Sequence, residues 1–517
     1  MGTFNSTGSG GNWTDDATWA ETGQPAADGT DHCIITAGDT VTLTGNTGTG
    51  SIKISGTIVG AGHTLTVNKS SSNKPFDHDG VIDSGSDLNV TITNTGAQQD
   101  GLLLDATPNG GASTGNINDL TINMANGTAA NKTIGIADTL TLDGDLTITS
   151  GTLDTVFSSG SSQNLIVTGA CTLNGGTFTG NASTVSHGSL TISSGTYNAT
   201  NQTTTLNGTV DVGMRVDGTF NNNDGTFVID GSITKVQMGS IGGAPTGFSI
   251  NNAPFHHLTI NDSINFAWGT GTLFNVEGDL IVAAGQTLGA NNENSGIKVL
   301  GKVTLNGTLG NSNLTNDCEF GTLEVASGGE YYATSGTTTI TTGGTVAGTG
   351  SMAFGGEGTF THNNGTLVLD STQHRMPAGG TFYNLTLNGE QTTDGIYAYT
   401  TTLLPQPTMP DGNTGAAMIH IKGTLQINHD EFRPYNTDRI WIHNLVIGDG
   451  TGSANSAKFD MSEADSFDGT VYVDNVTINS DGQFLFGDGD ETSSTAGSSA
   501  LNIYGSFRNL GGSVDIS

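Results

Sequence analysis

Positive charge, proline, cysteine and long apolar runs are all scarce in this chain. Lysine and arginine total 14 against 48 aspartates and glutamates in 517 residues, a net charge of −34, and the first arginine is Arg215. Nucleic-acid binders need clustered basic residues to neutralise phosphates, so no direct DNA or RNA contact is expected. An anionic membrane surface would repel the chain for the same reason. The three cysteines, Cys33, Cys171 and Cys318, are odd in number and far apart. They fit no disulfide framework and no zinc spacing, and they read as small buried hydrophobes. No apolar run approaches the ~18 residues of a membrane span, so no membrane insertion is expected. Helix formers are displaced by Thr, Gly, Asn and Ser, which favour turns and caps. Glycine numbers 79 without a three-residue period, which excludes collagen.

What is present is a short strand, a turn, and another strand. Thr40-Val41-Thr42-Leu43-Thr44, Thr64-Leu65-Thr66-Val67 and Val303-Thr304-Leu305-Asn306-Gly307-Thr308-Leu309 alternate apolar residues with Thr. Period-two alternation puts Leu, Val and Ile on one face and Thr on the other. Thr is β-branched, so it suits a strand while keeping the outer face soluble. Gly, Asn and Asp at the breaks supply turns.

A longer repeat lies above this pattern. Gly218-Thr219-Phe220-Asn221-Asn222-Asn223-Asp224-Gly225-Thr226-Phe227-Val228-Ile229-Asp230 realigns with Gly358-Thr359-Phe360-Thr361-His362-Asn363-Asn364-Gly365-Thr366-Leu367-Val368-Leu369-Asp370. Leu-Thr strands such as Asp119-Leu120-Thr121-Ile122 and Asn384-Leu385-Thr386-Leu387 recur, with Gly144-Asp145-Leu146, Gly278-Asp279-Leu280 and Gly423-Thr424-Leu425 following at intervals. Units of variable length that keep their inward apolar residues predict stacked coils with insertions in loops. The expected fold is all-β: a single-stranded right-handed parallel β-helix, or β-solenoid. A β-sandwich array is the alternative, disfavoured by short, proline-poor units without linkers. Residues 1–44 are expected to form an N-terminal aromatic cap carrying Trp13 and Trp19, because a solenoid end must be covered. Residues 45–517 are expected to form one continuous solenoid, with insertions near 69–80, 94–116, 405–417 and 487–500.

The opening Gly11-Asn12-Trp13 … Trp19 … Gly38-Asp39-Thr40-Val41-Thr42 and the Gly-Thr-Phe and Asn-Leu-Thr modules resemble repetitive β-helical phage tail-fibre and virion-surface proteins. They also resemble related bacterial surface adhesins, of the type met in marine metagenomes. The resemblance covers most of the chain and implies architecture without catalytic residues. It implies a non-enzymatic structural protein of a virion surface (a tail fibre, spike or capsid appendage) acting in host attachment. The alternatives are a bacterial or archaeal cell-surface adhesin or extracellular filament subunit, and a polysaccharide-degrading tailspike. The opening residues carry no basic n-region and no apolar h-region, which favours the virion reading over the extracellular one.

Motifs for chemistry are few. Gly111-Ala112-Ser113-Thr114-Gly115 has the letters of a nucleophile elbow, but no helix is predicted to follow it. Asp77 with Asp79, and Asp488 with Asp490, offer oxygen ligands for calcium, the only cofactor the sequence suggests; solvated acidic turns are the simpler reading. Chemical diversity concentrates in residues 429–443. Asp430, Glu431, Arg433, Tyr435, Asp438, Arg439 and Trp441 are the candidate binding residues there. Carboxylates beside aromatics suit a carbohydrate or partner contact, and a long loop tied by Arg–carboxylate pairs would look the same. Partners are expected to be other structural proteins, host-surface carbohydrate and further copies of the chain. No aromatic cap follows the coil around Leu501–Phe507, so self-assembly is expected to cover it, as a homo-oligomer and most simply a trimer.

Overall fold

The computed structural model describes residues 2–26, 30–69, 74–94, 102–105, 114–125, 132–157, 160–238, 255–267, 273–290, 296–341, 354–370, 374–377, 379–389, 391–394, 407–414, 418–434, 439–461, 469–486 and 500–516. It is all-β with extensive parallel sheet. Among the described residues helix is limited to 3₁₀ turns such as Asp16–Thr18, and no helix is long and apolar enough to cross a membrane. The chain divides into two compact units, residues 1–245 with 254–256, and residues 246–253 with 257–517.

In the first unit, strands Thr64–Lys69, Asn89–Asn94, Leu120–Asn123, Leu146–Ser150, Leu165–Thr179 and Val185–Asn198 pair successively, all parallel. Each level, or rung, repeats the alternation of the last. Leu65, Val90, Leu120, Leu146, Cys171 and Leu190 form one inward column, and Val67, Ile92, Ile122, Ile148, Leu173 and Ile192 the next. All twelve are buried. Between them Thr66, Thr91, Thr121, Thr147, Thr172 and Thr191 form an outward column. Cys171 therefore occupies a leucine position, and burial pushes its thiol well up, as expected of a small core hydrophobe.

Residues 1–44 pair into these ladders. Thr3–Asn5 pairs with His32–Ile35, which pairs with Ser51–Ile54. Gly10–Asn12, Thr40–Thr42, Thr57–Val59 and Val81–Ile82 form a small parallel sheet of their own. Trp13 and Trp19 are buried at 1% and 3% exposure and meet edge to face at 5.1 Å.

In the second unit Leu258, Leu280, Val303, Leu323 and Phe354 align in one column, and Leu385, Leu425, Leu445, Val476 and Phe507 in another. Asp430–Arg433, Ala457–Asp460 and Gly482–Leu485 belong to a separate parallel sheet, where Phe432 meets Phe459 at 5.3 Å with its ring tilted and Phe459 stacks on Phe484 at 5.4 Å. The two long sequence repeats fold alike. Asn223 and Asp224 adopt positive φ, as do Asn363 and Asn364, between strands Thr219–Asn221 and Thr226–Ile229 and strands Thr359–Thr361 and Thr366–Leu369.

One device locks rung to rung in both units. The Asp or Asn before a Leu-Thr strand reaches to the next rung and accepts a backbone amide. Asp119 Oδ1 takes the amide of Asp145 at 2.8 Å, and Asp145 Oδ1 that of Ala170 at 2.7 Å. Asp279 Oδ1 takes that of Lys302 at 2.8 Å, and Asn384 Oδ1 that of Thr424 at 3.0 Å. In these four pairs the receiving residue follows a glycine, Gly144, Gly169, Gly301 and Gly423, whereas the same clasp from Asn89 onto Asp119 and from Asn164 onto Thr184 follows Asn118 and Ser183. A Cβ at any of the four would run into the same Oδ1. This is the physical content of Gly144-Asp145-Leu146 and Gly423-Thr424-Leu425, while at Gly278-Asp279-Leu280 His257 Nδ1 is the acceptor, and each such bond is worth on the order of 1 kcal/mol.

The expected insertions divide. The 69–80 stretch contains strand Phe76–His78, paired to Ser51–Ile54, and the 94–116 stretch contains strand Leu102–Asp105, paired to Thr133–Ile136. Residues 407–414 of the 405–417 stretch are outside any strand, and 487–499 lie outside the described residues.

Candidate functional site

The chemically diverse stretch 429–443 is cut in two by the fold. Asp430–Arg433 runs in the separate sheet, whereas Arg439–Ile447 pairs with Met418–Ile427 and Thr470–Ile478. Glu431 and Arg433 are thus on different strands from Arg439 and Trp441. Tyr435 and Asp438 lie outside the described residues.

The first half is a buried acid pair. Glu431, 9% exposed, meets the 2%-exposed Asp460 and forms an ion pair with Arg433 Nη2 at 2.5 Å. Burial, and then the hydrogen bond with Asp460, push the Glu431 carboxyl up to about 7 against the pull of Arg433. Its folded-state value lies above the ordinary 4.5, so its protonated form stabilises the fold below that value and the gain is lost as pH rises through 7. Thermal melts should show stability falling between about pH 4.5 and 7 in the wild type and a flatter profile in Glu431→Gln. Identical profiles would refute the assignment. Asp460 was not legible as a partner, because it sits 29 positions away in the sequence.

The second half is a surface. Four successive rungs read Met-Ile-His-Ile-Lys (418–422), Arg-Ile-Trp-Ile-His (439–443), Thr-Val-Tyr-Val-Asp (470–474) and Ala-Leu-Asn-Ile-Tyr (500–504). Their inward residues are Ile419, Ile440, Val471 and Leu501, then Ile421, Ile442, Val473 and Ile503. Period two turns the others outward, so His420, Trp441, Tyr472 and Asn502 fall in one column. Lys422, His443, Asp474 and Tyr504 follow at the fifth position. Trp441 and Tyr472 stack at 4.9 Å and 15°, and Tyr504 lies near-parallel at 6.1 and 6.3 Å from them. Arg439 stands 5.9 Å from the Tyr472 ring centroid, within cation–π range, and pairs with Asp411 at 2.6 Å. His443 Nδ1 meets Asp474 Oδ2 at 2.7 Å. His362 and His420 are half-buried and held below the usual imidazole range, by burial first and then by the nearby Lys422 charge. His362 also leans on Tyr383 at 5.8 Å. The sequence signal for this face was the alignment of the four five-residue strings, which composition alone does not reveal.

The candidate calcium ligands Asp77 and Asp79 already hold a cation. Lys53 Nζ reaches them at 3.2 and 2.5 Å, and Lys74 reaches Asp77 at 3.5 Å. Lys53 is opposite Asp77 on the adjacent strand, a cross-strand charge pair. Asp488 and Asp490 lie outside the described residues.

Comparison of the chain with family models, with curated proteins and with solved structures finds no match.

Proposed function

We propose that the chain is a non-enzymatic structural protein of a virion surface, a fibre, spike or capsid appendage used in attachment, built as a single-stranded right-handed parallel β-helix. One observation carries the reading: strands about a coil apart in sequence pair parallel and in register over many rungs, clasped by Asx side chains onto glycine-led strands. Such stacking suits a stiff scaffold, because each coil buries its apolar columns only against its neighbours. Titratable groups in the candidate region are engaged in structure: Glu431 with Arg433 and Asp460, Arg439 with Asp411, His443 with Asp474. That distribution supports a scaffold over a polysaccharide-cleaving enzyme, which needs two free carboxyls flanking a groove.

The assembly expected is a homo-oligomer, most simply a trimer, with residues 485–517 near the contact. Immunogold electron microscopy of purified particles from the source tests the function. Label on projecting appendages supports the reading; label confined to a cell envelope transfers the protein to the adhesin class and overturns it. Light scattering tests assembly, and a stable 52.7 kDa monomer at micromolar concentration would contradict it.

A further inference from the structure

The outer face of rungs 418–504 departs in chemistry from the Thr-covered face of the first unit. It gathers aromatic rings and cations in a chain with only 4 tryptophans, 9 tyrosines and 14 lysines and arginines. Three observations converge on it. Trp441, Tyr472 and Tyr504 are near-parallel, the first two half-buried and the third 63% exposed. Hydrogen-bonding pairs sit beside the rings, Arg439 with Asp411 and His443 with Asp474. Lys422 is exposed and lies two positions along its strand from His420, whose charged form is disfavoured by burial first and then by Lys422, so Lys422 is the cation of this pair. Elsewhere Lys53, Arg215, Lys235, Lys298 and Lys302 each sit against a carboxylate, while Lys458 and Arg508, like Lys422, form no ion pair with a described residue.

An apolar ring with hydrogen-bonding groups at its rim is what a pyranose requires. Its C–H face packs on the ring while its hydroxyls meet the polar groups. The exposed Lys422 ammonium adds one positive charge at this place, and the uncharged His420 adds a hydrogen-bonding nitrogen beside it. A single-stranded nucleic acid would also stack, but it bears a charge on every nucleotide, and a chain of net −34 repels a polyanion the more strongly the denser its charge. A glycan with one carboxylate for every one or two sugars carries far less charge per length.

We propose that this face binds an acidic glycan, its sugar rings against Trp441, Tyr472 and Tyr504 and its carboxylates toward Lys422 and His420. The proposal rests on the attachment reading and names the class of surface attached to. His420 neighbours Trp441 across one strand step, so a carboxylate and a packed ring of one disaccharide reach both.

The test is titration calorimetry of the full-length chain with three probes: hyaluronan oligosaccharide, neutral dextran oligosaccharide of equal length, and single-stranded oligodeoxynucleotide. Hyaluronan oligosaccharide should bind at least tenfold more tightly than dextran, and more weakly as salt is added. Trp441→Ala and Lys422→Glu should each lose at least tenfold, with Trp441→Phe restoring most of the first loss. Lys422 is exposed, so Lys422→Glu tests the site without disturbing packing. No binding of hyaluronan, equal binding of dextran, tighter binding of the oligonucleotide, or unchanged affinity in Lys422→Glu would each overturn the proposal. None of these touches the immunogold result, so a failed site and a failed attachment reading are told apart.

Discussion

Trp19→Ala is expected to lower the unfolding free energy by ~3–5 kcal/mol, the range for deleting a buried aromatic side chain. Trp19 is 3% exposed and is held from three sides. Its ring meets Trp13 at 5.1 Å and Phe4 at 6.2 Å, both edge to face, and its Nε1 donates to the Trp13 carbonyl at 2.9 Å. Its backbone bridges Ser6, and the next amide, of Ala20, donates to the Asn5 carbonyl. Removing the indole opens a cavity and orphans the Trp13 carbonyl together, so the cost exceeds that of an exposed aromatic. Denaturant unfolding followed by circular dichroism measures it. A Trp19 that served to bind sugar would leave stability unchanged, and a ΔΔG near zero would contradict the packing account. Both indoles are closed to a sugar by burial.

Gly144→Ala is expected to cost about 1–3 kcal/mol, the usual penalty for forcing atoms into filled space. Gly144 needs no unusual φ; the obstacle is Asp119 Oδ1, which occupies the place of a Cβ while it accepts the Asp145 amide. The penalty should therefore depend on Asp119. In an Asp119→Ala background the nearest atoms to the added methyl become the Asn118 oxygens at 3.0 Å, and the cost should shrink. A double-mutant cycle reads this as a coupling energy between positions 25 residues apart in sequence. Additive costs would show that the clasp is not what places glycine there.

Strand chemistry was legible because it is local. Leu120-Thr121-Ile122 and Leu146-Thr147-Ile148 announce an inward and an outward face by themselves, and the structure pairs them in that register. The repeated glycine before a Leu strand was legible as a motif but not as a cause, since the cause is an Asp or Asn one coil earlier. The calcium reading of Asp77 and Asp79 failed to include Lys53 for the same reason: proximity came from register, not spacing. Residues 429–443 read as one loop because charges crowd it, yet Phe432, Ile440 and Ile442 keep period two and are buried in two strands of different sheets. Composition drew attention to Trp441 and Arg439, but the rings beside them, Tyr472 and Tyr504, arrive from the next two rungs. The division near residue 250 left no composition shift to read.

The most direct test of the stacked-coil architecture is a distance across the Thr column of the first unit. Thr66 and Thr191 are 125 residues apart in sequence but five rung steps apart in register. The three native cysteines are buried, with the thiols of Cys33 and Cys318 pushed up to about 12, so spin labels will go selectively to Thr66→Cys and Thr191→Cys. At a strand spacing near 4.8 Å, double electron–electron resonance should give a narrow distribution centred at about 24 Å between the two backbone positions, after allowance for the label arms. A distribution centred far beyond that, or one too broad to have a maximum, would contradict the β-helix.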